Sequence, residues 1–413
     1  MADTVILGSG IIGLSTAYYL SQSPSSSPHR IHLVDASPKL FHCASGFAGG
    51  FLAADWFAPS VAGLGSLSFK LHKELAEKHN GRKSWGYGLS TGTSLSQNDE
   101  DSEEAVGGSG EDFLSNGTSR AQAAGAVPSL NSNGPVWLKR TEGGSLEVIS
   151  KENSTAQIDP LRFCKFLLDQ CLSRGVQVHY PAKALSVSRD QNNRLSGIRI
   201  SQNGVETELS CTRLIITAGA WSPKVFSTLF PKATTRIPIT PLAGHSLLLR
   251  NPFFKPDEEE VCHAVFATDT LGFSPELFSR LDGEIYIAGL NTTQIPLPEI
   301  PTDAKVTDAA LKQLKHCADT MLGLADSTTE LQVLRSSLCF RPVTSSGRPI
   351  ISRIADEKLG DGLLTRGGGE GGVFVAAGHG AWGISQAPGT GLCCAELVEG
   401  RKTSADIAAL ALL

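Results

Sequence analysis

No run of apolar residues in this chain reaches the roughly 18–20 positions that a membrane-spanning helix needs. Basic residues are not in excess either. The 413 residues include 36 Lys and Arg against 41 Asp and Glu, for a formal charge of −5. Nucleic acids and anionic membranes reward clustered positive charge, so neither is expected as a partner. The nine cysteines contain no C-x-x-C and no zinc-ligand spacing. They read as reduced thiols in a cytoplasmic setting, with no metal. No signal peptide is expected, because a strand pattern starts at Thr4 and runs straight into a glycine motif.

Glycine is abundant. Its 43 residues gather at 8–13, 46–50, 367–372 and 378–391. Such clusters mark close backbone approach or positive φ. The stretch GGGEGG at 367–372 reads as a flexible turn.

Residues 4–7 (TVIL) have the continuous apolar character of a buried parallel strand. A helix over Ile11–Ser21 and a strand over Ile31–Asp35 complete a right-handed βαβ unit. Leu161–Arg174 has helical spacing and stops at Gly175. Strands follow at 176–180 and 184–188. Leu195–Ser201 and Glu206–Cys211 read as a hairpin turned at Asn203-Gly204. Leu214–Thr217 and Val373–Ala377 are further buried strands, and a helix follows the latter through Leu397. Residues 236–300 alternate as in an antiparallel sheet, and Thr307–Leu322 is a helix. Residues 95–135 are acidic and rich in Gly and Ser, a composition that predicts a disordered surface insertion.

Gly8-Ser9-Gly10-Ile11-Ile12-Gly13 is a G-x-G-x-x-G set between a strand and a helix, the setting in which the motif binds a dinucleotide. Gly8 permits the tight turn, Gly10 lets the backbone approach a diphosphate, and Gly13 lets helix and strand pack closely. The diphosphate then meets the positive end of the helix. Asp35, followed by Ala36 and Ser37, closes the second strand. Its carboxylate can take both ribose hydroxyls and would repel a 2′-phosphate, which disfavours NADP. A second small-residue loop follows: Cys43, Ala44, Ser45, Gly46, Phe47, Ala48, Gly49 and Gly50. An NAD domain has no need of it, whereas FAD needs its flavin half cradled too.

Four blocks resemble the D-amino-acid oxidase, glycine oxidase and sarcosine oxidase family of FAD-dependent oxidoreductases. They are VILGSGIIGLSTAYYL with Asp35, CASGFAGG, LIITAGAWS (214–222) and AGHGAWGISQAPGTG (377–391). Smaller matches are TAQIDP, GEIYIAG and FRPVTSSGRPII. CASGFAGGFLAADW resembles a fungal branch of the family. The resemblance implies an α/β Rossmann-like FAD domain of glutathione-reductase type plus an α+β substrate domain with a mixed or antiparallel sheet. The FAD domain is expected from 1–60, 140–225 and 335–413, and the substrate domain from 61–94 and 226–334. It further implies that Ala184 contacts the adenine. Ala218, Gly219, Ala220 and Trp221 would end one strand at the cofactor, and Gly378, His379, Gly380, Ala381, Trp382, Gly383 and Ile384 another.

The activity implied is oxidation of a C–N bond in a small amine or amino acid, by hydride transfer to the flavin. Oxygen or another acceptor would then take the electrons. Arg341 matches a family arginine that grips a substrate carboxylate; a structural ion pair is the alternative. Cys339 has the C-x-x-x-x-T spacing that carries a flavin thioether in some branches. His379 and His245 are candidates for the flavin and substrate faces, each with a purely structural alternative. Trp56 and Tyr286 are candidate pocket walls. By eye, Ile287 stands where some members carry an oxygen-activating Lys. Two other readings stay open: a flavin-binding protein with an assembly or trafficking role, and an NAD-dependent dehydrogenase.

Overall fold

The computed structural model describes residues 2–96, 130–131, 134–139, 144–255, 261–267, 273–325 and 327–412. Apart from its ends and residues 130–131, the acidic stretch 95–135 lies outside them. No helix among the described residues is long and apolar enough to cross a membrane.

The first elements are β1 (Thr4–Leu7), α1 (Ile11–Leu20), β2 (Ile31–Val34), α2 (Ala44–Phe47), β3 (Phe51–Ala53), α3 (Pro59–His79), α4 (Gly81–Trp85) and β4 (Gly88–Ser96). The middle of the chain gives β5 (Leu130–Asn131), β6 (Ser145–Val148), β7 (Thr155–Gln157), α5 (Pro160–Ser173), β8 (Gln177–His179), β9 (Ala182–Arg189), β10 (Leu195–Gln202), β11 (Val205–Ser210), β12 (Arg213–Ile216) and α6 (Ser222–Leu229). Then follow β13 (Ile239–Arg250), β14 (Cys262–Ala267), β15 (Glu276–Arg280), β16 (Glu284–Thr292), α7 (Asp308–Met321), β17 (Val333–Thr344), β18 (Ile350–Ile354), α8 (Asp356–Leu359), β19 (Gly372–Ala377) and α9 (Gly383–Val398).

One sheet has the order β18-β19-β12-β1-β2-β8, parallel except for β18. Both of its faces are covered. Ile6, Leu33, Ile215, Phe374 and Ala376 point into a core shared with α1, α5 and α9. Val5, Leu7, Val34, Leu214, Ile216, Val373 and Val375 point the other way, under the β9–β11 sheet. Burial on both sides explains why these strands read as unbroken apolar runs. Helix α1 carries no charge and is buried almost all round. A Cβ on Gly391 would lie 2.5 Å from the Ser15 backbone, so α9 crosses α1 at glycine-only distance. Asp159 caps α5 by accepting the Arg162 N–H at 3.1 Å, with Pro160 in the first turn.

The second sheet runs β17-β13-β16-β15-β14-β4-β6-β5. Its central strands are antiparallel, as the alternation predicts, but β14 pairs with β4 in parallel. One face packs on α7 through Leu314, Cys317, Ala318 and Met321. The other carries Phe266, Phe278, Tyr286 and Ala288 towards Phe51, Trp56 and Trp382.

Helix α3 escapes the sequence pattern because Gly63, Gly65 and three serines fill its first half. Those small residues have a packing role. A Cβ on Gly389 of α9 would meet Ser68 Cβ at 2.9 Å and the Leu64 carbonyl oxygen at 3.0 Å. Of the stretch 61–94, expected in the substrate domain, Val61, Leu64, Leu75, Ala76 and Trp85 sit in the core of α1 and α5. The boundary expected at 335 falls inside β17, which pairs along its length with β13. The turn at 367–372 is tied down rather than loose: Arg213 Nε donates to the Gly369 carbonyl oxygen at 2.7 Å.

Candidate cofactor and substrate site

The turn after β1 is fixed by the protein itself. Gly8 has φ of +109°, and a Cβ there would lie 2.6 Å from the Thr217 carbonyl oxygen. Thr217 Oγ1 donates towards the Gly8 oxygen at 2.9 Å, which couples the end of β12 to the turn. A Cβ on Gly13 would fall on the Gly8 carbonyl oxygen and 2.7 Å from Thr217 Oγ1. Asp35 accepts from the backbone N–H of Ser9 at 2.8 Å and of Ser37 at 2.9 Å. Burial still raises the Asp35 pKa, against those two hydrogen bonds. Ser45 Oγ accepts the Ile11 N–H at 3.0 Å, which folds the CASGFAGG loop against the first turn of α1.

Beside this turn lies a cavity of about 380 Å³, within the range of small-molecule sites. Its wall comes from widely separated segments. Gly8, Gly10, Ile11 and Ile12 contribute from the first turn, and Asp35, Ala36 and Ser37 from the end of β2. Cys43, Ala44, Ser45, Ala48, Gly49 and Gly50 contribute from the second loop. Ala184, and Ala218 to Trp221, lie on one side; His379, Gly380, Ala381, Gly383 and Ile384 lie on another.

The second sheet closes the remaining side with Glu276, Phe278, Tyr286, Cys339 and Arg341. Arg341 Nη1 donates to Asn291 Oδ1 at 2.7 Å. It reaches across Gly244, where a Cβ would overlap Nη1 and lie 2.9 Å from Cζ. Burial pushes the Arg341 pKa down, but Cys339, Tyr286 and Glu276 outweigh it, so the net shift is upward. Burial also raises the Cys339 thiol, against the pull of Arg341 and Arg335. His379 Nε2 lies 3.0 Å from Thr390 Oγ1, and burial lowers its pKa to about 3, so the ring is neutral.

Trp56, named as a candidate wall, packs on Phe51 and Phe266 outside the cavity lining, and six of the predicted site residues do not line the cavity either. Ser9 and Gly13 form the layer behind it. Gly46 packs beneath the Phe41 carbonyl oxygen, and Gly378 would place a Cβ 2.7 Å from Thr344 Cγ2. Trp382 packs on Phe51 and Phe57. His245 is buried on the opposite face of β13, with Nε2 3.3 Å from the Thr307 backbone nitrogen. The same alternation removes Ile287: it points into the core beneath α7, while Tyr286 and Ala288 take the cavity side. Gly49 lines the cavity, yet its missing side chain is also required by packing, since a Cβ would lie 2.5 Å from the Phe278 ring.

Sequence reasoning passed over Glu276 and a strap after β16. Trp221 Nε1 donates to the Pro298 carbonyl oxygen at 2.8 Å. Glu299 pairs with Lys183 at 2.8 Å and with Lys224. Those two lysines lower the Glu299 pKa to about 2. Glu299, Ile300 and Pro301 thereby lie on the cavity wall. A lone acid in a strand and a proline-rich loop carry no motif; a salt bridge between distant segments has no local signature.

A family profile described as DAO, FAD dependent oxidoreductase, matches residues 3–397. The chain belongs to this family. Among curated relatives, C1F5.03c of Schizosaccharomyces pombe is 27% identical over 98% of this chain and 96% of its own length. TDA3 of Saccharomyces cerevisiae is 26% identical over 98% of this chain and 93% of its own. Both are named as oxidoreductases. The crystal structure of glycine oxidase from Geobacillus kaustophilus shares the fold, with a TM-score of 0.73 and 19% identity over 100% of this chain and 98% of that one.

This DAO-family member is therefore an FAD-dependent oxidoreductase. Its cavity fits that cofactor on its own terms. Gly219 lines it with φ of +55°, and a Cβ there would meet nothing within 4 Å. A Cβ on Gly10 would meet only Ser45 Oγ, at 3.0 Å. At Gly219 the missing side chain leaves open space that protein atoms do not fill, and at Gly10 the Ser45 hydroxyl alone crowds the vacant Cβ position.

Proposed function

We propose that this oxidoreductase oxidises the C–N bond of a small amine or amino acid that carries a carboxylate. The observation that carries the reading is Arg341. Its guanidinium lines the cavity, and its described hydrogen bond goes to a neutral side chain, Asn291. A carboxylate can take an arginine bidentately, which both anchors and orients a substrate.

FAD, when bound, supplies a two-electron acceptor for hydride at flavin N5. The N–H groups of the Gly8–Gly13 turn would hold its diphosphate, and Asp35 would take the ribose hydroxyls. Ala184 would face the adenine. Gly383 and Ile384, which line the cavity in the first turn of α9, would offer backbone N–H groups to negative charge on the ring. His379 is neutral at physiological pH and can exchange a hydrogen bond with Thr390 without adding charge. Phe278 and Tyr286, stacked at 5.9 Å, exclude water from the sheet side.

Anaerobic bleaching of the flavin by a panel of amines and amino acids tests the reading. Arg341→Ala should raise KM for carboxylate-bearing substrates by about 10- to 150-fold, the equivalent of about 1.5–3 kcal/mol. Equal bleaching of wild type and variant by such substrates would remove Arg341 from the site. Repeating the reaction with oxygen and with artificial acceptors separates oxidase from dehydrogenase.

A further inference from the structure

The small-residue loop that ends at Gly50 is held from behind by two side chains that do not reach the cavity. Gly49 and Gly50 line it, whereas Gln157 of β7 and Arg280 of β15 do not. Gln157 is fully buried, and its Nε2 donates to the Gly49 carbonyl oxygen at 2.6 Å. Arg280 Nη2 approaches the same oxygen at 3.5 Å. Ion pairs to Glu284 at 3.0 Å and to Asp159 at 3.4 Å fix that guanidinium in place. The Gly49 carbonyl therefore points into the protein, away from the cavity.

The one cis bond among the described residues is Tyr180–Pro181, so the Gly49–Gly50 peptide is trans. In a trans unit the N–H and the C=O point in opposite directions. The Gly50 N–H accordingly faces the cavity. It is also missing from the place where a ladder would put it. The Ile158 N–H donates to the Gly50 carbonyl oxygen at 3.0 Å, beside the antiparallel pairing of β3 with β7. Such a pair ordinarily returns a bond from the Gly50 N–H to the Ile158 oxygen. Gly50, at φ of +95°, makes no such bond, and Gln157 Nε2 takes the Ile158 oxygen instead, at 3.2 Å. The Gln157 amide thus both turns the peptide and frees its N–H. Its own Oε1 is left buried without a partner, an unfavourable placement.

Formal charge behind the loop balances. Arg335, over the Phe47 ring at 5.3 Å, feels Arg280 as well as Asp159 and Glu284. Two guanidinium groups thus stand against two carboxylates. What reaches the cavity is an oriented peptide dipole rather than a net charge.

We propose that Gln157 and Arg280 are positioning residues for the cofactor. They present the Gly50 N–H to the flavin half of FAD as a preset donor, polarised through its own peptide. Such a donor favours the reduced ring, which carries negative charge, over the oxidised one. The proposal requires FAD in the cavity and nothing about the substrate, so it stands apart from the reading of Arg341.

The test compares wild type, Gln157→Met, Arg280→Met and Arg280→Lys. For each, the midpoint potential of bound FAD is read by anaerobic equilibration with redox dyes. Affinity for oxidised FAD is read by fluorescence titration of the apo protein, and the Tm of both forms is recorded. Methionine keeps the length of glutamine without a donor and adds no charge. Gln157→Met should therefore lower the preference for reduced over oxidised FAD about tenfold, a fall of about 30 mV for a two-electron couple. Its affinity for oxidised FAD should change less. Arg280→Met should lower the potential in the same direction, and Arg280→Lys, which keeps a cationic donor, should stay nearer to wild type.

A wild-type potential in Gln157→Met overturns the proposal whatever happens to Tm or to oxidised-FAD affinity, because a brace that only supports the fold moves those two alone. A wild-type potential in Arg280→Met overturns the part given to Arg280. Should Arg280→Met leave Asp159 and Glu284 too poorly neutralised to fold, Gln157→Met and Arg280→Lys still decide: Gln157→Met as above, and Arg280→Lys by a potential as low as that of Gln157→Met, which would overturn the rescue expected of a retained cation.

Discussion

Replacing Gly10 with alanine perturbs the cofactor, and replacing Gly13 perturbs the fold. Gly10 has φ of −69° and ψ of −179°, a conformation open to any residue. Its new methyl would meet only Ser45 Oγ, at 3.0 Å. The apo protein should therefore change by no more than about 1 kcal/mol. For a chain of 413 residues that is a Tm shift of about 1 °C. The diphosphate, however, would have to withdraw from the turn. Loss of one charge-assisted hydrogen bond costs about 1.5–3 kcal/mol, so FAD should bind about 10- to 150-fold more weakly. At Gly13 the methyl would fall on a backbone carbonyl oxygen and 2.7 Å from Thr217 Oγ1. Neither can move without opening the turn, so the cost is about 3 kcal/mol or more and appears already without FAD. Thermal melts of apo protein and fluorescence titration with FAD measure the two effects separately. Undiminished FAD affinity in Gly10→Ala, or an apo form as destabilised as that of Gly13→Ala, would refute the division of roles.

Three further outcomes follow from the geometry. Glu299→Ala should speed FAD release about two- to fivefold, a modest effect because exposed ion pairs are worth little; high salt should reproduce it in wild type and do nothing more to the variant, as stopped-flow fluorescence can show. Cys339 sits in a setting that raises its thiol pKa, which opposes the thiolate a thioether needs, so acid precipitation should leave the flavin in the supernatant; a yellow pellet that Cys339→Ser abolishes would overturn this. His72 is buried, with Nε2 2.9 Å from the Ile384 carbonyl oxygen and a pKa lowered from 6.5 to about 4. The unfolded chain then takes up a proton that the folded chain refuses, so stability falls as pH drops from 6.5 to about 4, by on the order of 3 kcal/mol from this group. His72→Gln should flatten the Tm-against-pH slope in that window, and an unchanged slope would exclude His72 as its source.

Much of this architecture was legible because the physics acts locally. Strand β1, the glycine turn, α1, β2 and Asp35 are contiguous, and each constraint, from turn to helix start to buried strand, leaves its mark within a few residues. The C-terminal strand and α9 were legible for the same reason. Side-chain parity was harder. His245 and Ile287 lie on strands that were correctly foreseen, yet each points away from the cavity, because one residue of register decides the face. Helix α3 was hidden by small residues whose value appears only once α9 is packed against them. Glu276, Lys183, Lys224 and Glu299 converge from distant segments, and no spacing between them carries information.

The wall that encloses the cofactor is assembled from β1, β12 and β19, the first and last of which lie at opposite ends of the chain. During translation the Gly8 turn emerges long before His379 and α9. A nascent chain therefore has no finished berth for the vitamin-derived cofactor.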